Sequence, residues 1–208
     1  MPKDIREELR PYLPDNSLEI VMSWLNGYAL ILRLSRGRRS KLGDYRPPVK
    51  DRYHRISVNR DLHAFEFLIT LAHEYAHLLT WERHGRRAKP HGKFWKAEYA
   101  RLLTSLMGLE IFPGHIEKLL LQQIQKPKAN SKGQSDLVRA LHEYRPDPHS
   151  IFLEDLPQDA VFHLQDGRRF RKMEKLRTWY RCQNIDTRKI YRISPVTKVI
   201  PIKQAENC

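Results

Sequence analysis

His73 and His77 stand four residues apart in "LAHEYAHLL" (71–79), with Glu74 directly after the first. On a helix, residues four apart share one face, with Cβ atoms about 5–6 Å apart. Two imidazoles so placed can reach one zinc ion, since each Zn–N bond is about 2.0–2.1 Å. Glu74 lies beside that line, where a carboxylate can take a proton from zinc-bound water without ligating the metal. The plainer reading is a pair of satisfied core histidines. Burying two imidazoles and a carboxylate on so apolar a helix without a strong partner would, however, be costly. Composition alone produces an HExxH match in roughly 0.03 chains of this length, so chance is a weak rival. The site still needs a third protein ligand, with the fourth position left to water.

Three residues compete for that place. The metzincin arrangement HExxHxxGxxH would need Gly at 80 and His at 83, and the sequence has Thr80 and Arg83. His84 is seven residues past His77, about 10.5 Å further along a continuous helix, too far to share the ion. His91, in "HGKFW", follows a break made by Gly85 and Pro90, and a chain that turns there can bring it back. Glu98 is the alternative, on one helical face with His91, Phe94 and Trp95; a glutamate completes some two-histidine zinc sites. His91 is the expected ligand.

These residues need a helix under the first motif and a turn into a second. From Asp61 to His84 apolar residues fall on nearly every side, the pattern of a central buried helix. "HGKFWKAEYARLLTSLMGL" and "PGHIEKLLLQQIQ" predict two more helices. Upstream, "DIREELRPYLPDNSLEIVMSWLNGY" predicts one or two, the second capped by Asp15 or Asn16. "ALILRLS" (29–35) and "HRISVN" (54–59) predict short strands, separated by the basic loop "RGRRSKLGDYRPP". The polar run "KPKANSKGQSD" breaks the periodicity and marks a linker over 126–136. "DLVRALHEYR" fits a short helix. Beyond it, alternating segments predict an antiparallel sheet of three to five strands, with Asp166-Gly167 as a two-residue hairpin turn. The expected organisation is one domain over 1–125, the linker, and a small basic β-domain over 137–208.

A helix with "HEYAH", a short loop and then "HGKFW" resembles the SprT-like (Spartan-type) zinc metalloprotease domain family. "KLGDYRPP" followed by "HRISVNRDL" is similar to that family's strand–loop–strand entry to its active-site helix. The resemblance covers about residues 15–125. It implies an α+β fold: a helical, zincin-like metalloprotease domain with a small sheet. It also implies that His73, His77 and His91 bind one zinc ion per chain and that Glu74 is the catalytic base. The implied activity is an endopeptidase acting on proteins bound or crosslinked to DNA. Many members carry a zinc ribbon with paired CxxC motifs after the protease domain. Here the corresponding region has "YRCQN" and "YRISP", which reads as a ribbon-like domain without metal. Only Cys182 and Cys208 are present, excluding a disulfide framework and a cysteine-only zinc site.

The net charge is +14, with +8 between Arg33 and Arg60 and +9 between Asp166 and Lys203. Clustered positive charge suits a polyanion, nucleic acid first among them, although a solvated basic surface is the plainer reading. Arg36, Arg38, Arg39 and Lys41 precede the active-site helix and could track a phosphate backbone. Arg168, Arg169, Arg171, Lys172, Arg177 and Arg181 interleave with Phe170, Trp179 and Tyr180, a composition suited to single-stranded DNA. A strand with one buried face would alternate in the same way. The chain lacks an apolar run of the ~18–20 residues a membrane span needs and an apolar signal segment. A cytoplasmic protein is therefore expected, with the nucleoid as one place it could associate. The expected function is a zinc-dependent endopeptidase for DNA-associated or DNA-crosslinked proteins. The alternatives are a nucleic-acid-binding protein with a structural or vestigial zinc site, which the intact Glu74 disfavours, and a hydrolase for small amides.

Overall fold

The computed structural model describes residues 4–38, 41–49, 51–125, 130–144 and 147–202, in an α+β arrangement of two compact units, 1–133 and 134–208. In the first unit, α1 (Ile5–Leu9) and α2 (Leu18–Leu25) lead into a three-stranded sheet of β1 (Leu30–Ser35), β2 (Gly43–Arg46) and β3 (His54–Asn59). β3 is central, parallel to β1 and antiparallel to β2, with Tyr45 opposite Ile56. The helices α3 (Ala64–His84), α4 (Lys93–Ser105) and α5 (Gly114–Gln125) follow.

α3 is the long helix of the first motif, and it begins three residues later than the Asp61 the pattern suggests. His63 caps it, Nδ1 accepting from the Phe65 N–H at 3.3 Å. The helix packs against β2 and β3 as well as α4. That double packing is why its apolar residues occur all round: Phe67, Leu68, Leu71, Ala72, Ala76 and Leu78 are fully buried. Each large side chain among them contributes about 1.5–3 kcal/mol by leaving water. Gly85, at φ +64, stops the helix in a backbone region closed to most residues.

Two local expectations fail here. Neither Asp15 nor Asn16 caps α2. The cap position is Ser17, whose hydroxyl donates back to the Pro14 carbonyl at 2.6 Å. The basic loop between the two predicted strands contains β2. "GDYR" has no apolar alternation, and its strand state comes from hydrogen bonding to β3 rather than from its own pattern.

In the second unit the sheet has six strands in the order β4-β9-β5-β6-β7-β8, one more than the upper expectation. They are β4 (Ile151–Phe152), β5 (Val161–His163), β6 (Arg169–Lys175), β7 (Tyr180–Asn184), β8 (Ile190–Ile193) and β9 (Lys198–Pro201), and every pairing is antiparallel. Phe162, Phe170, Cys182 and Val199 are fully buried in its core. α6 (Asn130–His142) precedes the sheet and runs through residues 130–136, which the sequence pattern assigns to a linker. Its buried Leu137, Ala140 and Leu141 lie in the C-terminal half, and the helix continues upstream into polar sequence. The β5–β6 turn has three residues rather than two. Leu164 N–H bonds to Arg168 O, Gly167 N–H bonds to Leu164 O, and Gly167 takes φ +87. Among the described residues no helix is long and apolar enough to cross a membrane.

Candidate metal centre

His73 and His77 project from α3 as their spacing requires, and His91 meets them from the loop ahead of α4. Nε2 of His91 lies 3.0 Å from Nε2 of His73 and 3.1 Å from Nε2 of His77. All three ligand atoms lie within 4.8 Å of one another. Nitrogens on one tetrahedral zinc are about 3.3–3.4 Å apart, so the cluster fits a single ion with small adjustments. Burial, with the neighbouring imidazoles adding to it, lowers the His73 pKa to about 3 and the His77 pKa to about 4. Burial also lowers that of His91. Neutral rings are the ligating form. Each carries a single N–H, so three converging Nε2 atoms cannot satisfy one another, and a cation at their centre resolves the conflict.

The turn that returns His91 is built from its neighbours. The Gly92 N–H bonds to the Lys89 carbonyl at 2.9 Å, and His91 takes φ +56. Pro90 second and a positive φ third are the marks of a type II turn, a place where Gly is the easy choice. A histidine there carries backbone strain of about 1 kcal/mol or more. Gly92 then starts α4, in the N-cap position.

Glu74 lines the same cleft, of about 510 Å³, as the three histidines. Glu74 is buried, with 8% of the residue exposed. Burial raises its pKa to about 7 and Asp44 adds to this, while Arg38, Lys41 and the Tyr45 backbone N–H oppose it. A divalent cation at the histidines would pull it down again. β2 lies hard against this carboxylate at Gly43. A Cβ there would stand 2.6 Å from Glu74 Cγ and Oε1 and 2.8 Å from Thr70 Cγ2. Gly43→Ala is therefore expected to displace Glu74 and leave the histidines in place. Zinc content should stay at the wild-type level while hydrolysis falls about 10²-fold, the usual effect of misplacing a reacting group by about an ångström. Elemental analysis beside a cleavage assay tests this, and equal rates would show that β2 gives way instead.

The other metal candidates are occupied elsewhere. Glu98 is buried between Arg83 (2.5 Å) and Arg101 (2.8 Å) and does not reach the histidines. His84 stacks on Phe94 with ring centroids 3.8 Å apart. Two contributors to the site carry no signal of their own in the sequence, and a third carries a weak one. Gly43 and Tyr45 belong to the strand hidden in a loop. Trp95 reads as core, yet its ring centroid is 4.6 Å from those of His73 and His91 and 5.3 Å from that of His77. Its place on one helical face with His91 was the available clue.

The basic candidates divide. Arg36 is exposed, whereas Arg38 donates to Asn59 Oδ1 (2.9 Å) and Ser57 Oγ (3.1 Å) and Lys41 pairs with Asp44 (2.6 Å). Arg39 lies outside the described residues. In the second unit Lys172 is buried and is not part of a surface for nucleic acid. It is 3% exposed, donates to the Leu156 and Glu154 carbonyls at 2.5 and 3.1 Å, and lies 4.2 Å from the Tyr180 ring centroid. It shares the inward face with Phe170, two residues before it on β6. Arg168, Arg169 and Arg181 are paired with Asp166, Asp186 and Glu174 respectively. Arg177 and Arg171 are exposed, as is Trp179 at 45%. Arg171 pairs in register with Gln183, and Arg181 with Arg192, which sets Arg171, Arg181 and Arg192 on the face opposite the core.

Residues 23–114 match the family model described as the SprT-like family. No curated protein and no solved structure matches the chain. The matched segment runs from within α2 to the start of α5 and leaves the second unit outside it. Residues 23–114, which carry the three histidines and Glu74, are the part of the chain similar to the SprT-like family.

Proposed function

We propose that this protein is a zinc-dependent endopeptidase whose substrates are proteins held on DNA. The observation that supports hydrolysis is the convergence of three histidine Nε2 atoms in a cleft also lined by Glu74. Zinc held by His73, His77 and His91 supplies Lewis-acid polarisation and a water of lowered pKa. Glu74 takes the proton of the attacking water and returns it to the departing amide nitrogen. The Tyr45 backbone N–H holds the carboxylate for that work, and burial keeps it basic enough to accept the proton. The three histidines stay neutral throughout.

The choice of DNA-bound substrates rests on charge. The net +14 and the outer sheet face with Arg171, Arg181, Arg192 and nearby Trp179 suit a single strand, cations on phosphates and an indole on a base. Arg171 and Arg192 make no ion pair among the described residues and are the residues to change. Each substitution to alanine is expected to weaken binding of a labelled oligonucleotide and reduce the slope of log K against log salt by about 0.7. An unaltered slope removes this face from the interface. The reading as a whole is tested by zinc-loaded cleavage of a DNA-binding protein with and without single-stranded DNA. Cleavage stimulated by DNA is expected. Equal rates would overturn the DNA-linked choice of substrate, and no cleavage of any protein would overturn the endopeptidase.

A further inference from the structure

Tyr45 touches the metal centre twice and is itself held by two further side chains. Its ring lies parallel to the His77 imidazole, 6° between planes and 6.1 Å between centroids. Its backbone N–H donates to the Glu74 carboxylate. Its hydroxyl is 3.0 Å from Nδ1 of His54, and Nε2 of His54 is 3.0 Å from Glu82 Oε1. His54 is 3% exposed, with Tyr28 edge-on against it.

The fold brings these groups together by register. Tyr45 pairs with Ile56 across β2 and β3, and His54, two residues before Ile56, shares that face. Glu82 lies on α3, five residues beyond His77, so the chain of contacts starts and ends on one helix. The partners also settle the protons. Glu82 accepts from Nε2 of His54, and in the neutral ring Nδ1 is then an acceptor. Tyr45 therefore donates to Nδ1. A hydroxyl committed in this way does not donate into the cleft, which leaves the ring and the backbone N–H as the parts that act on the site.

We propose that Tyr45, anchored by His54 and Glu82, is a positioning residue that sets the ring plane of His77 for the metal and the carboxylate of Glu74 for the water. The inference rests on the zinc site of the proposed function but not on peptide hydrolysis. Contacts that orient a ligand from behind commonly control metal affinity by about 10–100-fold.

The test uses the full chain, zinc affinity by chelator competition, and the visible spectrum of the cobalt(II)-loaded protein. Tyr45→Leu, which removes ring and hydroxyl, should weaken zinc about 10–100-fold and change the cobalt bands. Tyr45→Phe keeps the ring and the backbone N–H and should recover most of the affinity. Glu82→Ala changes a partly exposed position that the fold tolerates. It should weaken zinc several-fold by releasing His54, and it serves if the leucine variant fails to fold. Zinc affinity within twofold of wild type and unchanged cobalt bands in both Tyr45→Leu and Glu82→Ala would reduce the cluster to packing and overturn the inference. A wild type that binds neither metal would overturn the zinc site itself, a different result from a loaded wild type with insensitive variants.

Discussion

Glu74→Gln is expected to keep one zinc per chain and lose hydrolysis by about 10²–10⁴-fold, the range that general acid–base catalysis contributes. The side chain keeps its shape, and its amide oxygen can still accept from the Tyr45 N–H that now holds the carboxylate. What it cannot do is take a proton. Folding is not at risk, because a neutral amide is easier to bury than an ionised carboxylate in a position 8% exposed. Elemental analysis and single-turnover cleavage, run on the same preparation, separate the outcomes. Full activity in the variant would remove Glu74 from the role of base. Loss of zinc together with activity would tie Glu74 to holding the metal instead.

The parts of this site that were legible in the sequence are those fixed by local geometry. The four-residue step from His73 to His77 needs nothing but a helix, and the apolar residues around it define that helix. His91 was accessible because Gly85 and Pro90 mark where the helix must stop and the chain must turn. Glu98 was not decidable in this way. Its helical face is shared with His91 and Trp95, and only the arrival of Arg83 from another helix shows that its charge is already met. The deeper omission was β2. "GDYR" has one aromatic, one glycine and two charges, and no periodicity marks it as a strand. Its state is decided by β3, whose paired residues lie 9–15 positions further along the chain. With β2 unseen, the contact of Gly43 with Glu74 and the stack of Tyr45 on His77 were invisible too. Lys172 is the opposite case. Its spacing from Phe170 placed it on the buried face, and the positive charge of its surroundings was the misleading signal.

His91 offers the sharpest separation of metal from fold, because its backbone and its side chain favour different residues. At φ +56 the backbone is strained for histidine and comfortable for glycine. His91→Gly is therefore expected to remove the third ligand while relaxing the turn by up to about 1 kcal/mol. In chelator the glycine variant should unfold a few degrees above wild type. With zinc the order should reverse. Wild type then gains about 2.7 kcal/mol at a free zinc concentration of 100 times its dissociation constant, and the variant gains little. His91→Ala should lose zinc in the same way but keep the strain, and so fall below the glycine variant under both conditions. Thermal unfolding with and without zinc, beside zinc per chain, reads all of this. If both variants keep one zinc, the third ligand is another residue and the cluster at Nε2 is only packing. If both lose zinc but the two metal-free curves coincide with wild type, the ligand stands and the strain at the turn does not. A reversal of order with zinc would mean that histidine occupies this turn for its nitrogen, against the preference of its own backbone.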